Sequence, residues 1–329
     1  MSKIRVGVLR GGPSSEYEVS LKSGQSVLES LPEKYEVSDI LITRDGAWNV
    51  SGLMSSPVRA MRRTDVFFNA LHGEYGEDGK LQQMLDHHQF PYTGSGALAS
   101  AFGMHKLLSK KRFAEAGLLT PQFYFFRENP LSKNHEGLEL LAAKRASEVF
   151  RAFPGPWVVK PVAGGSSIGV TVARTVEALT AALLEALLKD EIMFVEEMIA
   201  GKEATCGVLE QYRSDKYFAL PPIEIRAPSG FFDYQSKYDG SSEEIPYGSF
   251  SGREIESIQK TAKKVHEILG LKHYSRTDCM VTPRGEIYVL EVNTLPGLTS
   301  ESLLPKSLRA AGIAFPAFLD HVITSALEA

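Results

Sequence analysis

The chain has 329 residues, 43% hydrophobic and 23% charged, the composition of an ordinary soluble globular protein of two or three domains. A net charge of −4 excludes the broad basic face of a nucleic-acid binder, though not a local basic pocket for one anionic ligand. Cys206 and Cys279 stand far apart without metal-type spacing and read as free thiols of a reducing compartment. The opening apolar run at 6–9 is too short for a signal segment, and no run is long enough to span a bilayer. A cytoplasmic protein with no membrane partner is expected.

In chain order, residues 4–9 form a buried-strand pattern followed by Gly11-Gly12, then a helix over 18–31. Strands over 35–43 and 66–70 and a helix over 81–88 continue the alternation, which predicts a parallel α/β unit across 1–102. A second unit, 103–195, carries helices over 106–116 and 176–188. The second of these has Leu179, Leu183, Leu184 and Leu187 at helical spacing. Its strand at 157–160 runs into a glycine-serine loop. A third unit, 196–329, includes a Gly-, Ser- and Tyr-rich stretch at 228–250, of a length usual for functional lids or disordered segments and read here as a lid. A helix over 253–269 follows, with a Ser251/Glu254 capping box, a buried face of Ile255, Ile258, Val265 and Ile268, and Gly270 as its stop.

The chemistry concentrates in two strand-like segments, 274–278 and 288–293. A hairpin about Arg284-Gly285 pairs Asp278 with Glu291 and Arg276 with Asn293, and strand alternation puts all four on one face. Two carboxylates placed opposite one another repel, so the arrangement makes sense around a cation. Two carboxylates and an amide oxygen are hard ligands suited to Mg²⁺, which is typically shared with nucleotide phosphates. The bland alternative is a solvated acidic pair.

Lys160 ends a strand and leads into Pro161-Val162-Ala163-Gly164-Gly165-Ser166-Ser167-Ile168-Gly169. This is either a phosphate cradle of backbone N–H groups or a plain Gly-Ser turn. It is not a Walker loop, because the lysine precedes the glycines. Gly11-Gly12-Pro13-Ser14-Ser15-Glu16 lacks the dinucleotide glycine spacing, which excludes a Rossmann dehydrogenase. Glu16 either serves a ligand at the strand's carboxyl end or simply favours a helix start. His72, in a polar turn after another buried strand, is either a site residue or a structural histidine.

Together these segments resemble the D-alanine–D-alanine ligases of the ATP-grasp superfamily. The resemblance rests on residues 11–20, His72-Gly73 through Glu77-Asp78-Gly79, Lys160–Gly169, Lys237-Tyr238, Arg276-Thr277-Asp278, and 291–297, with 298–305 after them. It covers nearly the whole chain. It implies an ATP-grasp fold: an N-terminal Rossmann-like parallel α/β domain and two α+β domains clasping ATP. It further implies that Lys106, Lys160 and Lys237 hold ATP phosphates, that Glu196, Glu197, Met198 and Ile199 form an adenine hinge, and that Glu203 takes the ribose. Asp278, Glu291 and Asn293 would bind two Mg²⁺ ions, with Mn²⁺ as a substitute. Glu16 would take the ammonium of the first D-alanine, and His72 would also bind substrate. Arg276 and the Gly297 amide would stabilise an oxyanion, and Ser302 with Leu303 would anchor the second D-alanine. Ser166 and Tyr238 would link the closing loops. The chain departs from the family pattern at His105, where an acidic residue is usual, and at Gly164-Gly165, where a Glu often stands.

The implied reaction joins two D-alanines through an acyl phosphate, and a homodimer is implied. The nearest rival is a D-alanine–D-lactate or other D-amino-acid ligase, against which Tyr238 after Lys237 speaks for a dipeptide maker. A second rival is a regulatory nucleotide binder, which would have no need of Arg276 beside a metal site.

Overall fold

The computed structural model describes residues 3–126, 135–161, 170–189, 193–226 and 242–328. Three sheets follow one another along the chain.

The first is ordered β4-β3-β2-β1-β5. Strands β1 (Ile4–Gly11), β2 (Tyr35–Ile42) and β5 (Val66–Asn69) are parallel, as expected of apolar strands separated by helices α1 (Tyr17–Ser30) and α2 (Pro57–Arg63). The short antiparallel β3 (Trp48–Val50) and β4 (Leu53–Ser55) extend its edge. These two were not expected from sequence, because three residues carry almost no periodicity. Helices α3 (Lys80–His87) and α4 (Ala97–Met104) complete the unit.

The third strand group to appear in the chain is the largest sheet, β13-β12-β10-β14-β15, with β11 on the far end of β10. Its strands are β10 (Lys202–Tyr212), β11 (Asp215–Ala219), β12 (Ile223–Arg226), β13 (Glu243–Pro246), β14 (Tyr274–Val281) and β15 (Ile287–Asn293). Between it and the first sheet comes a four-stranded antiparallel sheet of β6 (Phe123–Phe126), β7 (Trp157–Pro161), β8 (Thr171–Ala173) and β9 (Met193–Glu197). Helices α6 (His135–Ala152) and α7 (Val176–Leu188) cover that sheet with Leu138, Leu141, Leu179, Leu183 and Leu187. Helix α5 (Lys106–Glu115) leads into it.

Helix α8 (Gly252–Ile268) lies on one face of the largest sheet. Ile258 and Ala262 pack there on Ala204, Cys206, Val208, Cys279 and Val281. The expected capping box is present: Ser251 N–H donates to Glu254 at 2.7 Å and Glu254 N–H donates to Ser251 Oγ at 3.3 Å. Both cysteines are buried and free. The last two helices, α9 (Leu303–Ala310) and α10 (Phe315–Glu328), reach back to the first sheet. Phe318, Leu319, Val322 and Leu304 share a core with Val6, Val8 and Phe68, so the two ends of the chain are packed together. No single helix among the described residues is long and apolar enough to cross a membrane.

The 228–250 stretch is not wholly the lid expected from sequence. Glu243–Pro246 is a strand that closes the edge of the largest sheet, and Lys306 Nζ fastens it at 2.9 Å from Glu244. Residues 228–241, including Lys237 and Tyr238, lie outside the described residues, as do Gly164, Gly165 and Ser166.

Candidate active site

The face of the largest sheet opposite α8 carries the acidic hairpin. Antiparallel pairing sets Arg276 opposite Asn293 and Asp278 opposite Glu291, the expected partners. The route to that register differs from the expected symmetric turn. From Val281 to Cys279 the partners are Ile287, Tyr288 and Val289, one residue out of step with the site. A bulge at Leu290 restores the alignment, putting one extra residue on β15 between the turn and Glu291.

Strand β10 adds to the same face, because Thr205 pairs with Asp278 and Glu203 with Met280. Thr205 Oγ1 donates to Asp278 Oδ1 at 2.5 Å. Arg276 grips both oxygens of Asp278, Nε to Oδ1 at 2.9 Å and a terminal nitrogen to Oδ2 at 2.8 Å. Asn293 donates to Oδ2 at 3.0 Å. Burial works against the Arg276 charge, but Asp278, Glu291 and Glu77 outweigh it and raise its pKa. Two carboxylates and an amide, Asp278 buried and Glu291 and Asn293 half-buried, therefore share one patch with a guanidinium beside them. Asn293 is presented by its NH₂ side, and rotating the amide turns its oxygen to the same spot. That donor set suits a hard divalent cation.

Lys106 borders the patch, and two further lysines, Lys160 and Lys110, converge on Glu196. Lys106 opens α5, where a positive charge opposes the helix dipole and helix N–H groups point outward, an arrangement that favours an anion. Its Nζ lies 4.0 Å from Glu291. Lys160, at the end of β7, pairs with Oε2 of Glu196, and Lys110, one turn after Lys106, pairs with Oε1. Glu196 and Glu197 both turn their side chains to protein partners rather than outward. Glu196 takes the two lysines, and Glu197 accepts from the Gln122 N–H at 3.0 Å. Burial disfavours the Glu196 charge, yet the two ammonium groups win and hold its carboxyl below its usual range.

The N-terminal unit is joined to the 295–298 loop that follows the patch. Gly73 has φ +71°, and a Cβ there would collide with Ser14 Oγ and come within 3.0 Å of a Glu16 oxygen. Only glycine lets the His72-Gly73 turn lie against the loop bearing Glu16. His72 itself is 5% exposed and has both ring nitrogens engaged inside the protein. Nδ1 donates to Leu295 O at 2.9 Å, which leaves Nε2 to accept from Ser23 Oγ at 2.8 Å. Ser23 Oγ in turn accepts from the Leu298 N–H at 3.2 Å. His72 is thus placed as a strut onto the 295–298 loop, not as a free ligand group.

Gly297, in that loop, would bring a Cβ within 2.8 Å of Ser302 Oγ. Ser302 precedes α9 but does not cap it. Its hydroxyl sits 2.8 Å from Thr299 Oγ1, which leaves the first N–H groups of α9 for an anion. Leu303 packs beneath with Ile223 and Ile225. Glu203 stands on β10, and Met198 and Ile199 directly follow β9. The Met198 N–H donates to Pro156 O at 2.9 Å. Sequence reasoning missed Lys110, Thr205 and Ser23. Only Lys110 left a trace, its i,i+4 spacing from Lys106.

The chain matches the family description "D-ala D-ala ligase C-terminus" over residues 113–324 and "D-ala D-ala ligase N-terminus" over 5–60 and 52–95. It is 39% identical to a D-alanine–D-alanine ligase of Trichlorobacter lovleyi over 324 residues, covering 98% of this chain and 95% of that protein. The VanG D-Ala:D-Ser ligase from Enterococcus faecalis superposes with a TM-score of 0.83 at 31% identity, covering 98% of this chain and 99% of that one. A D-alanine–D-alanine ligase from Bacillus anthracis, solved with ATP, gives 0.77 at 32% identity and covers 99% and 98%. The chain belongs to the D-alanine–D-alanine ligase family, and its fold is that of the ATP-grasp ligases.

Proposed function

We propose that this protein joins two D-alanines to D-alanyl-D-alanine at the expense of ATP, for peptidoglycan precursor synthesis. The observation that carries the reading is the Arg276–Asp278–Glu291–Asn293 patch bordered by Lys106, with Lys160 on Glu196, in a chain that matches this family end to end.

The first D-alanine, its ammonium against Glu16, presents a carboxylate oxygen to the γ-phosphorus of ATP; the bond to the β-phosphate oxygen breaks and ADP leaves. Lys106 and Lys160 hold the phosphates, and the 196–199 hinge meets the base through backbone groups other than the Glu197 and Met198 N–H, since the Glu196 and Glu197 side chains are engaged elsewhere. Glu203 takes the ribose. Asp278, Glu291 and Asn293 would hold Mg²⁺, two ions in this reading, which would supply charge neutralisation during phosphoryl transfer. The second D-alanine, its carboxylate at Ser302 and Leu303, attacks the acyl carbon with its deprotonated amine. Arg276 and the Gly297 amide donate to the tetrahedral oxyanion, and phosphate departs with the former carboxylate oxygen. Lys237, Tyr238 and Ser166 belong to the same proposal but lie outside the described residues.

We further propose three domains, 1–102, 103–195 and 196–329. One sheet falls within each, except that β9 runs two residues past the second boundary. A homodimer and a cytoplasmic location are supported by the family resemblance.

The test is incubation with ATP, Mg²⁺ and D-alanine, alone and with D-serine, D-lactate or L-alanine, read by ADP release and product mass. D-alanyl-D-alanine as the main product supports the proposal. ADP release indifferent to D-alanine contradicts it. The likeness to a D-Ala:D-Ser ligase makes D-serine the informative competitor.

A further inference from the structure

Lys110 is fully buried, with no side-chain exposure, so it cannot reach a nucleotide. Its ammonium pairs with Glu196 Oε1 and donates to Thr120 Oγ1 at 2.8 Å. The Thr120 hydroxyl passes the connection on, donating at 2.9 Å to Val289 O on β15, two residues before Glu291. Lys160 takes the other oxygen of Glu196 and keeps 11% of its side chain exposed. One carboxylate is thus shared between a hidden lysine and one that faces the site. Burying a second ammonium beside the first is expensive: burial pulls the Lys110 pKa down, Glu196 opposes that, and Lys160 adds to the fall. A lysine buried at such a cost needs a reason.

Formal charge supplies one. Lys110, Lys160 and Glu196 sum to +1, two cations less one anion. Without Lys110 the remaining pair sums to zero. Glu196 would then close fully on Lys160.

We propose that Lys110 is a positioning residue that occupies half of the Glu196 carboxylate, so that Lys160 keeps its charge for the nucleotide phosphates, and that through Thr120 it ties this arrangement to the strand bearing Glu291. The proposal rests on the reading of Lys160 as a phosphate contact.

The test measures KM for ATP, KM for D-alanine, kcat and thermal unfolding in Lys110→Met, Lys110→Met/Glu196→Gln, Thr120→Val and Lys160→Met. Lys110→Met removes one positive charge and should raise KM for ATP roughly tenfold, with smaller changes in kcat and in KM for D-alanine. The double variant restores +1 on Lys160 alone. It should recover most of the ATP affinity although the buried contact is still missing. Thr120→Val leaves the charges and removes only the tether, so it should give a smaller rise of the same sign and serves if Lys110→Met fails to fold. A lower melting temperature with unchanged KM for ATP in Lys110→Met, or an unchanged value in Thr120→Val when Lys110→Met does not fold, overturns the proposal and leaves Lys110 a structural residue. A double variant no better than the single also overturns it. Unchanged KM for ATP in Lys160→Met would instead strike the underlying reading of Lys160.

Discussion

His72 and Leu295 are 223 positions apart in the chain and are joined by one buried hydrogen bond of 2.9 Å. It runs from the His72-Gly73 turn to the 295–298 loop, which contains Gly297. With Ser23 and the Leu298 N–H it completes a chain of three bonds in which every donor has an acceptor. His72→Ala should strand Ser23 and the Leu295 carbonyl, at about 1–3 kcal/mol of stability. Because the loop it braces carries the Gly297 amide, kcat should fall at least about tenfold while nucleotide affinity holds. Urea unfolding and steady-state kinetics check both. Unchanged kinetics with lost stability would confine His72 to the fold.

Arg276→Lys keeps the charge and loses the planar fork that grips both oxygens of Asp278. Turnover should drop on the order of a hundredfold, the effect of losing an oxyanion donor. ATP affinity should change much less. Equal losses in both would make Arg276 a nucleotide contact only.

Glu291→Gln should weaken the response to Mg²⁺ and lower turnover, while the fold survives, since one of two facing negative charges is removed. The check is ADP release as a function of Mg²⁺ concentration, beside the melting temperature without Mg²⁺. A wild-type Mg²⁺ response would remove Glu291 from the cation site.

Two buried histidines set an acid limit. Burial lowers the pKa of His266 and of His273 to about 4; His266 faces His273 as well, and His273 faces Lys272 and His321. Nδ1 of His273 accepts from the Gly94 N–H at 2.9 Å, so the folded state holds that nitrogen bare. The unfolded chain takes up these protons near pH 6.5 and the folded one only near 4, so stability falls as pH drops through that window. The loss is on the order of 3 kcal/mol for each histidine. Urea midpoints at pH 7, 5.5 and 4.5 should decline steadily, before most carboxylates protonate. A flat profile down to pH 4.5 would contradict the buried neutral state.

Much of this was legible in the sequence because it was periodic or local. Helix 176–188 and the Ser251/Glu254 box follow from spacing alone, and the Asp278–Glu291 pairing follows from strand alternation. That pairing was nonetheless reached through a turn lacking the Leu290 bulge, since nothing in local sequence marks one extra residue. Contacts between distant segments left no such signal. The family resemblance gives Glu196 only as part of an adenine hinge, and the packing of α5 against β9 and β15 shows it buried between Lys110 and Lys160. His72 read from sequence alone as more often structural than catalytic, and its hydrogen bonds to Ser23 and Leu295 are contacts with distant segments that no local pattern marks.

The central claim is that Arg276, Asp278, Glu291, Asn293, Lys106 and Lys160 pass a D-alanine carboxylate through an acyl phosphate. D-Alanine labelled with ¹⁸O in its carboxylate, incubated with ATP, Mg²⁺ and the enzyme, tests it most directly, by mass analysis of the released phosphate. The account predicts one labelled oxygen in the phosphate for every dipeptide formed. Dipeptide accompanied by unlabelled phosphate would contradict it.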